Sequence, residues 1–147
     1  MTFAWTVLAV YIRLPDIRPA AIRVYDRGVA RFQVLDAETA GIVEHVCDAI
    51  VPGSARVKPA VYVDAILARM DEGTRGAAIA AFRTVGEDVA AHAMTPDFFW
   101  VRALAIEAFY SDFVAPGVDV KGAWDEIDFN TPLATRLAKD WSYLGIS

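Results

Sequence analysis

Cysteine is almost missing from this chain: Cys47 is the only one in 147 residues. That excludes an internal disulfide framework and any zinc site built on cysteine pairs. Positive charge is also in short supply, with 14 Lys and Arg against 19 Asp and Glu, a net charge of −5. A basic patch for DNA or RNA is therefore not expected. There is no glycine-rich phosphate loop and no dinucleotide fingerprint, so the chain should hold no nucleotide cofactor of its own. Long hydrophobic runs are lacking too. The apolar stretch Met1-Thr-Phe-Ala-Trp-Thr-Val-Leu-Ala-Val-Tyr-Ile12 falls far short of the roughly 20 residues of a spanning helix. No Lys or Arg precedes it, as a signal peptide would require. It reads as a buried strand or helix, with a degenerate export or anchor segment and a misassigned start as the alternatives. The expected location is the cytoplasm, and an exported complex is the second reading.

What the chain does have is apolar surface. Hydrophobic residues make up 56% and charged ones 22%, which excludes disorder. The mean hydropathy of +0.34 is high for a soluble monomer of this length. Either an Ala-rich core absorbs that surplus or another surface covers it.

Two textures divide the sequence. Residues 1–34 contain Arg13, Arg18, Arg23, Arg27 and Arg31, two prolines and no Glu, and show no helical period. Imperfect alternation around Asp26-Arg27-Gly28 predicts a hairpin with Gly28 in the turn, or an extended arm laid on a partner. Residues 35–147 read as one helical domain. Asp36 caps a first helix with Val43, Val46, Cys47, Ile50 and Val51 on one face, ended by Pro52-Gly53. Pro59 opens a second, whose stripe Tyr62, Val63, Ile66, Leu67 and Met70 runs to Gly73. A third is expected over 74–93, weakened at Gly86 by about 1 kcal/mol relative to Ala. Thr95-Pro96-Asp97 starts a fourth over 96–113, apolar around nearly its whole circumference and so expected to be central or sandwiched. Beyond it lie short elements around Trp124 and a tail with Trp141 and Tyr143. The fold class is mainly α: a small bundle of about four main helices with an irregular aromatic C-terminal segment.

Chemistry-bearing groups are few and scattered. Glu44, His45 and Asp48 share a helix but lack the two-histidine i, i+4 spacing of a helical metal site, and read as a solvated face. Cys47, on the apolar stripe, reads as a buried structural thiol. Ser111 and Asp112 with His92 lack a nucleophile elbow and read as a helix end. Asp125, Glu126 and Asp128 beside Trp124 read as caps and salt-bridge partners.

Two segments together carry a resemblance. Asp48-Ala-Ile-Val-Pro52 ends the first helix. Phe109-Tyr-Ser-Asp112 is followed, after a turn, by Trp124-Asp-Glu-Ile127 and Phe129. In this order they resemble the gluconate 2-dehydrogenase subunit 3 family, small helical companions of large flavin-dependent (GMC-type) dehydrogenases. The likeness covers roughly residues 35–129. It implies a non-catalytic accessory subunit or dedicated chaperone, with FAD in the large flavin-dependent oxidoreductase partner and no cofactor, catalytic residue or metal in this chain. Asp48 and Pro52 would shape the helix end. Phe109, Tyr110, Asp112 and Trp124 would form an aromatic corner, structural or at the subunit contact. The family's usual twin-arginine signal is absent, and Phe113-Val-Ala-Pro-Gly117 replaces its Gly-Gly-Asn stretch. The competing reading is a stand-alone cyclase or isomerase of an apolar metabolite. Its pocket would be lined by Phe98, Trp100, Phe109, Tyr110, Trp124 and Trp141, and Tyr110, Asp112, Glu107 and Arg102 would supply polar groups. A homo-oligomeric module with its apolar face self-paired is the third.

Overall fold

The computed structural model describes residues 32–129 and 144–145. Among them are five α-helices, one 3₁₀ turn and no strand: α1 Ala37–Ile50, the 3₁₀ turn Ser54–Val57, α2 Pro59–Leu67, α3 Glu72–Glu87, α4 Pro96–Tyr110 and the single turn α5 Ala123–Glu126. The mainly helical fold expected from periodicity is the fold observed. The hairpin or arm expected over residues 1–34 lies outside the described residues except for 32–34, and Trp141 and Tyr143 lie outside them too.

Each long helix starts on a side chain that satisfies an otherwise orphaned amide. Asp36 accepts from the Thr39 N–H at 2.7 Å, Asp71 from Thr74 at 2.9 Å, and Thr95 Oγ1 from Phe98 at 3.2 Å. The Thr39 and Thr74 hydrogen bonds hold both capping carboxyls below the usual range. Prolines occupy the first turns of α2 and α4, where a missing N–H costs nothing.

Two helices stop earlier than their apolar pattern. α3 ends at Glu87 because Asp88 takes up an extended backbone and its carboxylate accepts from Ala91 N–H at 3.0 Å. That local bond competes with continued helix. α4 ends at Tyr110 because Asp112 sits in the left-handed region at φ 64°.

α2, not α4, is the helix enclosed on all sides: all nine of its residues are buried. α1 brings Val43, Val46 and Cys47 to it and α4 brings Val101, Leu104 and Ala105, while Ala78, Phe82 and Val85 of α3 join the same core by packing against α1 and α4. Phe82, Phe113 and Leu67 are fully buried in this core, each contributing about 1.5–3 kcal/mol of transfer free energy. Leu144 joins them at 1% exposure. Within α2 stands one carboxylate, Asp64, 3% exposed. It accepts three consecutive amides of the incoming chain: Gln33 at 2.6 Å, and Val34 and Leu35 at 2.9 Å.

Gly86 reverses a rule of helix propensity. A Cβ built there meets Ile42 Cγ2 at 2.7 Å and Val46 Cγ2 at 3.4 Å, so the glycine lets α3 approach α1. Gly86→Ala gains about 1 kcal/mol of helix propensity but overpacks a β-branched neighbour at about 1–3 kcal/mol. The expected net result is a loss of about 1 kcal/mol in urea unfolding, turned into a gain when Ile42→Ala is added. A stabilised Gly86→Ala single variant would contradict the close approach.

Candidate functional site: an aromatic corner

The two halves of the resemblance are separated by residues 53–108, and the fold brings them together. Val51 and Val57 pack with Phe109 and Ala123 in a second buried cluster, flanked by Ile106, Val114 and Trp124. The Asp48 carboxylate reaches past the end of α1 and accepts from Gly53 N–H at 2.9 Å and Ala55 N–H at 3.1 Å. Pro52 and Gly53 (φ 85°) make the turn between them. Asp48 and Pro52 thus shape the helix end, and the loop they fix presents Arg56 to the corner.

Arg56 ties three segments. Its Nη1 donates to Gly53 O at 2.6 Å and its Nη2 pairs with Glu126. Its guanidinium carbon lies 4.8 Å from the Phe109 ring centroid, a cation–π distance. Phe109 makes an edge contact with Tyr110 at 5.1 Å, as Trp124 does with Phe129 at 5.3 Å. Trp124 is held twice: its indole N–H donates to Tyr110 O and its backbone N–H to Asp112 Oδ1, both at 3.0 Å. Asp112 is 2% exposed. Gly122 packs so closely on it that a Cβ there would stand 2.1 Å from Oδ1.

Asp48 and Asp112 therefore do the same job. Each is a carboxylate at a helix end, Asp48 in the last turn of α1 and Asp112 two residues beyond α4, whose oxygen accepts from the backbone of the following segment. Of the six motif residues, Asp48, Pro52, Phe109, Asp112 and Trp124 build the corner. Tyr110 turns its ring outward and is 56% exposed.

The groups weighed for catalysis do not converge. Phe98 and Trp100 pack on the main core near the start of α4, whereas Phe109 and Trp124 belong to the second cluster at its end. The eleven steps from Phe98 to Phe109 span roughly 16 Å of helix. Trp141 lies outside the described residues. Glu107 accepts from Tyr62 Oη at 3.0 Å, and Arg102 is exposed. His92 bonds the Asp88 carbonyl through Nδ1 ahead of α4, whereas Ser111 and Asp112 follow its far end. Glu44 pairs with Lys58, and His45 is exposed. Cys47 is fully buried, and burial, then Glu44 and Asp48, push its thiol up to about 12, so it stays protonated and unreactive.

Two residues of the site were not singled out from sequence. Arg56 carried no signal in its local pattern. Gly122 looked like one more loop glycine. Glu107, expected as a polar group of a pocket, is instead the partner of Tyr62.

α4 also presents an outer face. Phe99, Ala103 and Tyr110 follow one another at i, i+4 and i+11 on its exposed side, with Ile106 between them half-buried against the second cluster. Phe99 and Tyr110 are 52% and 56% exposed. Comparison of the chain with protein-family models, with curated proteins and with solved structures returns no match.

Proposed function

We propose that this chain is a non-catalytic accessory subunit, or dedicated chaperone, of a flavin-dependent (GMC-type) oxidoreductase, with the FAD held by the larger partner. The observation that carries the reading is the outer face of α4, where Phe99, Ala103 and Tyr110 stand exposed on a helix whose other side is core. Contact surfaces of lasting complexes are apolar and aromatic in this way. The motif corner adds support. Its carboxylates are occupied with backbone amides and its arginine with Glu126 and Phe109, so the corner serves to hold the C-terminal end of α4 in shape.

The test is affinity purification of the tagged full chain from its native host, with the visible spectrum and stoichiometry of the eluate. A flavin-bearing polypeptide at one copy per chain is expected. Phe99→Glu and Tyr110→Glu should each weaken that complex at least ~30-fold, the loss of a hot-spot side chain of about 2 kcal/mol. Their thermal unfolding should stay near that of the parent, since both side chains are exposed. A monodisperse monomer that retains no flavoprotein, or undiminished capture by both variants, overturns the proposal.

A further inference from the structure

Beyond the corner's buried layer, α5 and the residues after it form an outer one. Ile127 is 71% and Phe129 52% exposed, and the Phe129 ring lies against Trp124. Asp125 and Asp128 flank them, both exposed. Neither makes an ion pair with any of the described residues.

The inner layer shows what such surroundings hold. Arg56 lies over the Phe109 ring while pairing with Glu126. The outer layer repeats the combination of aromatic ring and carboxylate, but among the described residues no guanidinium fills it. One part of the sequence carries guanidinium groups in excess over carboxylates. Residues 1–31 hold five Arg against two Asp, interleaved with Ile, Val and Tyr, whereas the rest of the chain holds nine basic side chains against seventeen acidic ones. That segment joins the domain at Phe32, which packs on the main core. Its length, up to roughly 100 Å when extended, puts every part of the surface within reach.

We infer that the arginine-bearing segment 13–31 of the same polypeptide docks on the outer face of the aromatic corner. An arginine of the segment stacks on the Trp124–Phe129 pair and meets Asp125 or Asp128, as Arg56 meets Phe109 and Glu126 one layer beneath. The contact depends on charge complementarity within one chain and not on the identity of any oxidoreductase.

The test uses the full chain with a photo-crosslinking p-benzoylphenylalanine at Ile127, whose exposed side chain tolerates it, and peptide mass mapping of the product. The expected crosslinks fall within 13–31, in the monomer band. Asp125→Lys with Asp128→Lys should lower their yield about tenfold, and adding Arg23→Glu with Arg27→Glu should restore it. Crosslinks confined to residues 130–147, to a second copy or to another protein overturn the inference. So does a yield that charge reversal leaves unchanged.

Discussion

Asp64→Ala should cost the domain about 3 kcal/mol and lower its melting temperature by roughly 10 °C. Asp64 is a carboxylate inside an otherwise apolar helix, 3% exposed, and burial of such a group is tolerated only when its oxygens are satisfied. Here they accept Gln33, Val34 and Leu35 N–H at 2.6–2.9 Å. Truncation to alanine orphans three amides where the chain meets the core, and each buried unsatisfied donor costs about 1–3 kcal/mol unless water reaches it. It also leaves a void in α2. Asp64→Asn is the informative partner. One Asn oxygen can replace Oδ1 and keep Val34 and Leu35, but the amide nitrogen then faces the Gln33 N–H, donor against donor. About half the alanine penalty is expected. Native-state hydrogen exchange should show the loss first at the amides of 33–35, because the carboxylate pins that segment to α2. A full unfolding curve within about 0.5 kcal/mol of the parent for Asp64→Ala would remove Asp64 from its place as anchor.

Asp64 also marks where sequence reading stopped. Helix starts were legible because Asp36, Pro59 and Thr95-Pro96 advertise them with groups that act on their own first turn. Helix ends were less so. Asp88 and Asp112 end α3 and α4 through backbone geometry and side-chain bonds to neighbouring amides, which apolar periodicity does not register. The circumference of α4 pointed to a central or sandwiched helix, and the enclosed place is taken by α2. A nine-residue helix with one carboxylate becomes fully enclosed only because the incoming strand of chain supplies the donors that carboxylate needs. Gly86 read as a defect, and its meaning depends on Ile42, 44 residues upstream. In the corner, the order of the two motifs was visible but not the loop that Asp48 closes, nor Arg56 lying across Phe109. Local rules name the residues that begin elements. Residues that join elements show only as exceptions: a charge in an apolar helix, a glycine in a good one.

Gly122 is such an exception. Gly122→Ala should destabilise the chain by about 3 kcal/mol, although the backbone there suits any residue (φ −74°, ψ 177°). The reason is space. The new methyl would stand 2.1 Å from Asp112 Oδ1 and 3.0 Å from its Cγ. Asp112 has little room to yield: it is buried, left-handed at φ 64°, and holds the Trp124 N–H through that same oxygen. Accommodating the methyl therefore adds overpacking of about 1–3 kcal/mol to the loss of a hydrogen bond to a charged group, about 1.5–3 kcal/mol. The two overlap, so their sum is an upper limit. A double-mutant cycle isolates the clash. Asp112→Gly removes the carboxylate and suits the positive φ, so it forfeits the Trp124 bond but leaves room for a methyl. In that background Gly122→Ala should cost less than about 1 kcal/mol, a coupling of about 2 kcal/mol. Trp124 near-ultraviolet circular dichroism should weaken in Gly122→Ala while far-ultraviolet helicity persists, because α1 to α4 do not touch the methyl. Additive costs in the cycle would show that Asp112 and Gly122 do not share this space.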